Sequence, residues 1–190
     1  MIRVLVSDEL PAAAALAAAA LREDPGFSYM YPEDAARRAR LPALLRALLR
    51  ADLAAGGRVA GAFDGDALVG VSSLLPGGTP EPGLAAWLRS VALSPVLFAD
   101  PAGLLRGAEV ARALAPLRPA ASPYLRLLAV HPACQGRGVG AALLRDALKD
   151  GALYLETFEP SNRAWYAARG LKETAEVRGA QRPPFWTFRT

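Results

Sequence analysis

Apolar and polar residues alternate from Ile2 to Val6, which is the period of a strand. Leu10 to Leu21 is nearly all leucine and alanine, and Asp8 or Ser7 is placed to cap it as a helix. Asp24-Pro25-Gly26 then marks a break. From Ala35 to Leu53, the residues Leu41, Leu44, Leu45, Leu48, Leu49 and Leu53 recur at helical spacing opposite Arg46 and Arg50, so a second amphipathic helix with a solvated basic face is predicted. Pro42 lies inside it, and the helix either begins there or bends. Arg58 to Phe63 and Ala67 to Leu75 flank Asp64-Gly65-Asp66, the pattern of a hairpin. After a stretch rich in proline and glycine (Pro76-Gly77-Gly78, Pro80, Pro82-Gly83), apolar runs at Trp87 to Leu97 and Leu104 to Leu117 could form two more helices. Leu125 to Val130 is a hydrophobic strand. A glycine-rich turn follows it, then an amphipathic helix and a further strand from Ala152 to Glu156. No segment repeats.

The chain has 190 residues, ordinary for one domain with a substantial core, and no linker-like run divides it, so 1–190 is expected to be a single domain. Its mean hydropathy of +0.19 raises the question of a membrane. No window holds the roughly 18 consecutive apolar residues that a span requires. Asp8 and Glu9 precede the alanine-rich run where a signal peptide would carry positive charge. A soluble, cytoplasmic protein without a membrane partner is therefore expected. Cys134 is the single cysteine, which excludes an intrachain disulfide and suits a reducing compartment.

Charge is unevenly spread. Residues 1–100 carry 9 basic and 11 acidic groups, net −2, and residues 101–190 carry 13 and 7, net +6. A polyanionic small ligand bound by the second half explains a modest positive field there. Nucleic acid is not expected as a partner, because Arg106, Arg112, Arg118, Arg126, Arg145 and Arg163 are dispersed among alanines and leucines with no basic run or aromatic platform.

The chemistry is concentrated after Val130. Gly136, Gly138 and Gly140 leave backbone N–H groups uncovered where a helix begins, an arrangement that favours a phosphate. A nucleotide P-loop would need Gly-Lys-Ser/Thr, and Val139-Gly140-Ala141 stands in that place. A dinucleotide fingerprint is met by Gly136, Gly138, Ala141 and the later Glu156. However, His131 to Gln135 make the first turn too long, and only 34 residues follow Glu156, too few for the rest of a doubly wound sheet. A third pattern, Val-x-Pro and then Gln/Arg-x-x-Gly-x-Gly/Ala before a helix, is matched throughout by Val130-His131-Pro132 and Gln135 to Gly140.

That pattern resembles the acyl-CoA-binding motif of the GCN5-related N-acetyltransferase (GNAT) superfamily. The run Leu155-Glu156-Thr157, Asn162, Tyr166 and Gly170-Leu171 strengthens the resemblance and is most similar to puromycin N-acetyltransferase-like enzymes, with Leu171 in place of the usual Phe. It covers roughly residues 124 to 190. The earlier part agrees in the order of its elements. The resemblance implies a mixed α/β fold: a central, mostly antiparallel twisted sheet with one splayed central strand, flanked by helices. It also implies direct acetyl transfer from acetyl-CoA to the amine of a small molecule. An inserted segment between Pro76 and Pro123 would help wall the acceptor pocket.

Roles follow from the same resemblance. Leu128, Ala129 and Val130 on the splayed strand would offer backbone groups to the pantetheine amides and the thioester carbonyl. Gln135, Gly136, Arg137, Gly138, Val139, Gly140 and Ala141 would hold the phosphates. Asn162 would bond the pantetheine arm or aim Tyr166, whose phenol would protonate the departing thiolate. An alkyl amine with a pKa of about 10.4 must lose a proton before it attacks. Glu156 is the best carboxylate for that, the single histidine His131 lies against the phosphate turn, and a water relay without a dedicated base is open too. No metal is expected, because one Cys and one His make no cluster. A non-catalytic acyl-CoA sensor is the alternative function, and a homodimer is neither required nor excluded.

Overall fold

A computed structural model describes residues 1–79 and 99–190, so the expected helix at Trp87 to Leu97 lies outside the described residues. The chain runs β1 (Ile2–Val4), α1 (Leu10–Ala20), α2 (Pro25–Met30), α3 (Asp34–Ala54), β2 (Arg58–Asp64), β3 (Ala67–Leu75). It continues with α4 (Pro101–Leu114), β4 (Tyr124–Val130), α5 (Val139–Ala147), β5 (Tyr154–Thr157), α6 (Asn162–Ala167), β6 (Lys172–Val177) and β7 (Phe185–Arg189).

Among the described residues seven strands form one sheet in the order β1-β2-β3-β4-β5-β7-β6. Every neighbouring pair is antiparallel except β4 and β5, which are parallel and joined through α5. That parallel pair is held at a single position, Tyr124 against Tyr154, whereas β3 and β4 pair from Gly70–Val130 to Leu75–Tyr124. Beyond Tyr124 the two strands part. Among the described residues the edge of β4 from Leu125 to Val130 that faces β5 has no strand partner, so the expected mixed α/β fold with a splayed central strand is present.

Helices cover both faces. On one side Leu10, Ala13, Ala14 and Ala17 of α1 and Leu41, Leu45 and Leu49 of α3 pack with Val59, Val71, Leu127 and Ala129 of the sheet. The small side chains of α1 allow its backbone close to the strands and to α3. On the other side Leu144 and Ala147 of α5 and Tyr166 of α6 pack with Leu125, Leu155, Trp186 and Phe188. A bulge in β4 alters which residues face each side. Ser73 pairs with Leu127 and Leu74 with Leu125, so Arg126 is the extra residue, and its guanidinium lies 2.8 Å from the buried Asp52.

Several details differ from the sequence reading. Neither Asp8 nor Ser7 caps α1: Ser7–Glu9 is a 3₁₀ turn, Pro11 lies in the first turn of the helix, and Glu9 instead accepts bonds from the Val6 N–H and from Arg3. Asp24-Pro25-Gly26 is no mere break, because Asp24 caps the short α2 by accepting from Gly26 N and Phe27 N. Helix α3 runs through Pro42 without ending. The apolar run from Leu104 falls on α4 and a 3₁₀ turn at Ala115–Leu117. No helix among the described residues is long and apolar enough to cross a membrane.

Candidate active site

A cleft of about 650 Å³ opens where β4 and β5 part. Its walls come from four places. The end of β4 gives Leu128, Ala129 and Val130, the glycine turn gives Cys134 to Gly136 and Gly138 to Ala141, α6 and its flanks give Glu159, Ser161, Asn162, Trp165, Tyr166 and Arg169, and the end of α1 with the turn after it gives Ala20, Leu21, Glu23 and Asp24. The residues expected from the sequence to bind one ligand, Arg137 apart, thus line one cavity.

The turn is built by two left-handed glycines. Gly136 has φ +74° and Gly138 has φ +82°, and Gly138 is the residue on which α5 begins. Nothing lies within 4 Å of where a Cβ would stand on either, so both face open space, and their conformation is one that side-chain-bearing residues avoid. With the first amides of α5 behind it, this cradle has the shape and partial charge to suit a phosphate. Gly140 is different: a Cβ there would touch Trp165 and Val130 at 3.5 Å, which makes it a packing position between α5 and α6.

Gln135 donates from Nε2 to the Val130 carbonyl at 3.2 Å, tying the turn to the strand end and occupying one of the β4 backbone groups. Arg137 is the member of the expected set that does not line the cleft. It is exposed, reaches to Asp64 of the β2–β3 turn at 3.0 Å, and borders a separate groove beside Met1 and Phe63. His131 is exposed, with Nδ1 accepting from the Ala133 N–H. Cys134 is half-buried and packs against the small cluster of Ala62, Val69 and Leu143.

Tyr166 is buried at 6% exposure. Trp165 meets it edge-on at 5.0 Å between centroids, and Phe188 lies at 5.3 Å. Burial pushes its phenol well above the usual range, so it stays a proton donor at any physiological pH. Ser161 precedes α6 but makes no side-chain cap; Asn162 instead donates from Nδ2 to Thr157 Oγ1 at 2.9 Å, and the same oxygen accepts from Glu159 N at 3.2 Å. Thr157 therefore ties the end of β5 to the start of α6. The carboxamide oxygen of Asn162 is the atom left for another partner.

Glu156 is not among the residues lining the cleft. Along β5, Leu155 packs with Tyr166, while Tyr154 packs with Leu75 and Tyr124 across the sheet. Alternation puts Glu156 on the Tyr154 side. The Tyr154 phenol is raised by burial first and then by the Glu156 charge. The sheet thus separates the two residues expected to be catalytic.

Arg169, Asp24 and Glu159 are among the cleft residues that the sequence pattern did not single out. Arg169 follows Asn162 and Tyr166 at helical spacing, stacks on Trp165 at 3.9 Å and donates to the Trp165 carbonyl at 2.8 Å. Its spacing was a usable signal. Asp24 and Glu159 had none, since a capping aspartate and a loop glutamate look alike in any sequence. Burial raises the Asp24 carboxyl to about 6, against the opposing backbone bonds from Phe27 and Gly26 and with help from the Glu159 charge. Among the described residues no group of three His, Cys, Asp or Glu could hold a metal ion.

Residues 102–173 match the family described as the acetyltransferase (GNAT) domain. No curated protein matches the chain. Among solved structures, a histone acetyltransferase HPA2 and related acetyltransferase from Corynebacterium glutamicum superposes with a TM-score of 0.69 at 20% identity, over 99% of this chain and 94% of that one. An agmatine N-acetyltransferase gives 0.65 at 17% identity, over 100% and 98% of the two chains. A Drosophila melanogaster polyamine N-acetyltransferase gives 0.60 at 16% identity, over 100% and 98%. At these identities the likeness is one of fold, and the fold is that of the GNAT acetyltransferases.

Proposed function

We propose that residues 1–190 form one acetyl-CoA-dependent N-acetyltransferase domain that passes an acetyl group directly to the amine of a small molecule. The observation that carries this reading is the meeting, in one cleft, of a glycine cradle at a helix start, an unpaired strand edge and a buried phenol. Each suits a different part of the reaction. The Gly136 to Gly140 turn would hold the phosphates through backbone N–H groups, and the free edge of β4 at Leu128 and Ala129 would pair with the pantetheine amides. A backbone donor from the same edge would steady the carbonyl oxygen as it gains charge, commonly the largest contribution in acyl transfer. Tyr166 would give its proton to the departing sulfur, with Asn162 holding α6 in place.

The agmatine and polyamine enzymes of the same fold support a small amine as acceptor, and the kinship to puromycin-type enzymes belongs to this proposal as well. A domain that merely sensed acyl-CoA would need the cradle and the free edge but no proton donor at the sulfur. The test is thiol release from acetyl-CoA against a panel of polyamines, amino acids, amine antibiotics and short peptides. At least one small amine should be used well above background hydrolysis, and peptides should be poorer. Tight acetyl-CoA binding with no acceptor found would favour the sensor.

A further inference from the structure

Among the described residues four charged side chains line the cleft: Glu23, Asp24, Glu159 and Arg169. Arg169 is engaged with Trp165, and Glu23 is an exposed surface residue that pairs with Arg22 and Arg37. Asp24 differs from these. Its Oδ1 accepts from Gly26 N at 2.8 Å and Phe27 N at 3.3 Å, which fixes the carboxylate on the α1–α2 turn. Its Oδ2 has no hydrogen-bond partner among the described residues. A helix cap needs one oxygen, so the second is left to the cleft that Asp24 shares with Tyr166 and the free end of β4.

The geometry points to Asp24 as the general base that removes the proton from the acceptor's ammonium, a role resting on the acetyltransferase reading above. The fixed carboxylate and the phenol line the cleft from different elements, so one group would serve the entering nitrogen and the other the leaving sulfur. Asp24 Oδ2 takes one proton from R–NH₃⁺, and the amine lone pair forms the N–C bond to the thioester carbonyl. The C–S bond then breaks, Tyr166 gives its proton to the thiolate, and the second nitrogen proton restores the phenol through solvent. Asp24 returns its proton to water. The balance is one ammonium and one acetyl thioester in, and one amide, one thiol and one proton out.

The environment of Asp24 suits this task. A carboxyl raised to about 6 is ionised at neutral pH yet far more basic than an ordinary aspartate, as a base poised near working pH should be. Burial causes most of the shift. The charged and titratable groups that share the cleft with it are Glu23 on its own turn, Glu159 on the approach to α6, Tyr166 on α6, Arg169 just beyond that helix, and Cys134 of the glycine turn. Glu156 stands on the sheet face that α1 and α3 cover, on the same side as the α1–α2 turn, but does not line the cleft.

Asp24→Asn tests the role without removing the cap, since asparagine caps a helix as well as aspartate. The full-length protein is assayed by thiol release with the panel amine that the unsubstituted chain uses best, across pH 5 to 9. Expected are a kcat lower by about 10²-fold to 10³-fold, unchanged acetyl-CoA affinity by calorimetry, and loss of the rise in kcat/KM with a midpoint near pH 6. A purely structural Asp24 would not move that pH limb. Wild-type turnover in Asp24→Asn, or a limb that persists there and vanishes in Glu156→Gln, would overturn the assignment while sparing the acetyltransferase. No turnover of any amine by the unsubstituted chain would instead sink the parent reading and this one with it.

Discussion

If Asp24 is held ionised in a place that disfavours its charge, replacing it with asparagine should make the protein more stable at neutral pH while making it a worse enzyme. The carboxyl is raised from 3.8 to about 6, by burial first and by Glu159 in addition. A shift of roughly 2 units corresponds to about 3 kcal/mol at 1.36 kcal/mol per unit. Asp24 is only half-buried, and water reaching it reduces the cost, so about 1–3 kcal/mol is expected. The folded pKa lies above the unfolded one. The folded state therefore binds the proton more tightly, and Asp24 contributes stability that is present below about pH 4 and lost as pH rises through 6. Asparagine cannot ionise and escapes that loss. Urea denaturation of both proteins should show a gap that is full above pH 7, shrinks through pH 6 and closes below about pH 4. For a chain of this length the gap at pH 7.5 corresponds to a Tm higher by about 2–4 °C for each kcal/mol. A variant no more stable than the parent at pH 7.5, or a gap independent of pH, would refute the claim that the carboxylate is strained by its surroundings.

Tyr166→Phe keeps the edge-on contact with Trp165 and the packing on Phe188, so stability should barely change while kcat falls by about 10²-fold with acetyl-CoA affinity intact; full turnover would make the phenol structural. Gly138→Val should abolish acetyl-CoA binding in calorimetry by filling the cradle. Because nothing lies within 4 Å of the new Cβ, the fold should survive at a cost of about 1–2 kcal/mol for the left-handed backbone, and unchanged affinity in the folded variant would remove the basis for the phosphate site. Thr157→Val strips the oxygen that accepts from both Asn162 and Glu159, which should destabilise the protein by about 1–3 kcal/mol in thermal melts and raise KM for acetyl-CoA; a variant with parental melting and KM would show that this tie does not hold α6.

Sequence by itself determined the elements whose cause is local. The hairpin around Asp64-Gly65-Asp66, the amphipathic α3 and the glycine turn before α5 are written in spacing and in residues with particular backbone freedom, and each stands where the pattern put it. The cradle was legible for the same reason, since positive φ at Gly136 and Gly138 is a property of one residue. Strands β6 and β7 were not foreseen. Phe185 to Arg189 does not alternate cleanly because four of its five residues are buried between neighbours, and burial on both faces erases a strand's period.

Only the tertiary structure decided which of the candidate residues share a cavity. The bulge at Arg126 and the parting of β4 from β5 after Tyr124 set which way Leu128 and Val130 face, and neither leaves a mark in the spacing of apolar residues. Glu156 and Tyr166 are ten positions apart and looked like partners, yet strand alternation sent one to each side of the sheet. Asp24 comes to Tyr166's cleft across more than a hundred residues because α1 packs on β3 and β4 and delivers its C-terminal turn there. Spacing in sequence records what a short segment does with its own hydrogen bonds. Which distant carboxylate enters a cleft, and how far burial raises it, depends on the packing of the whole core.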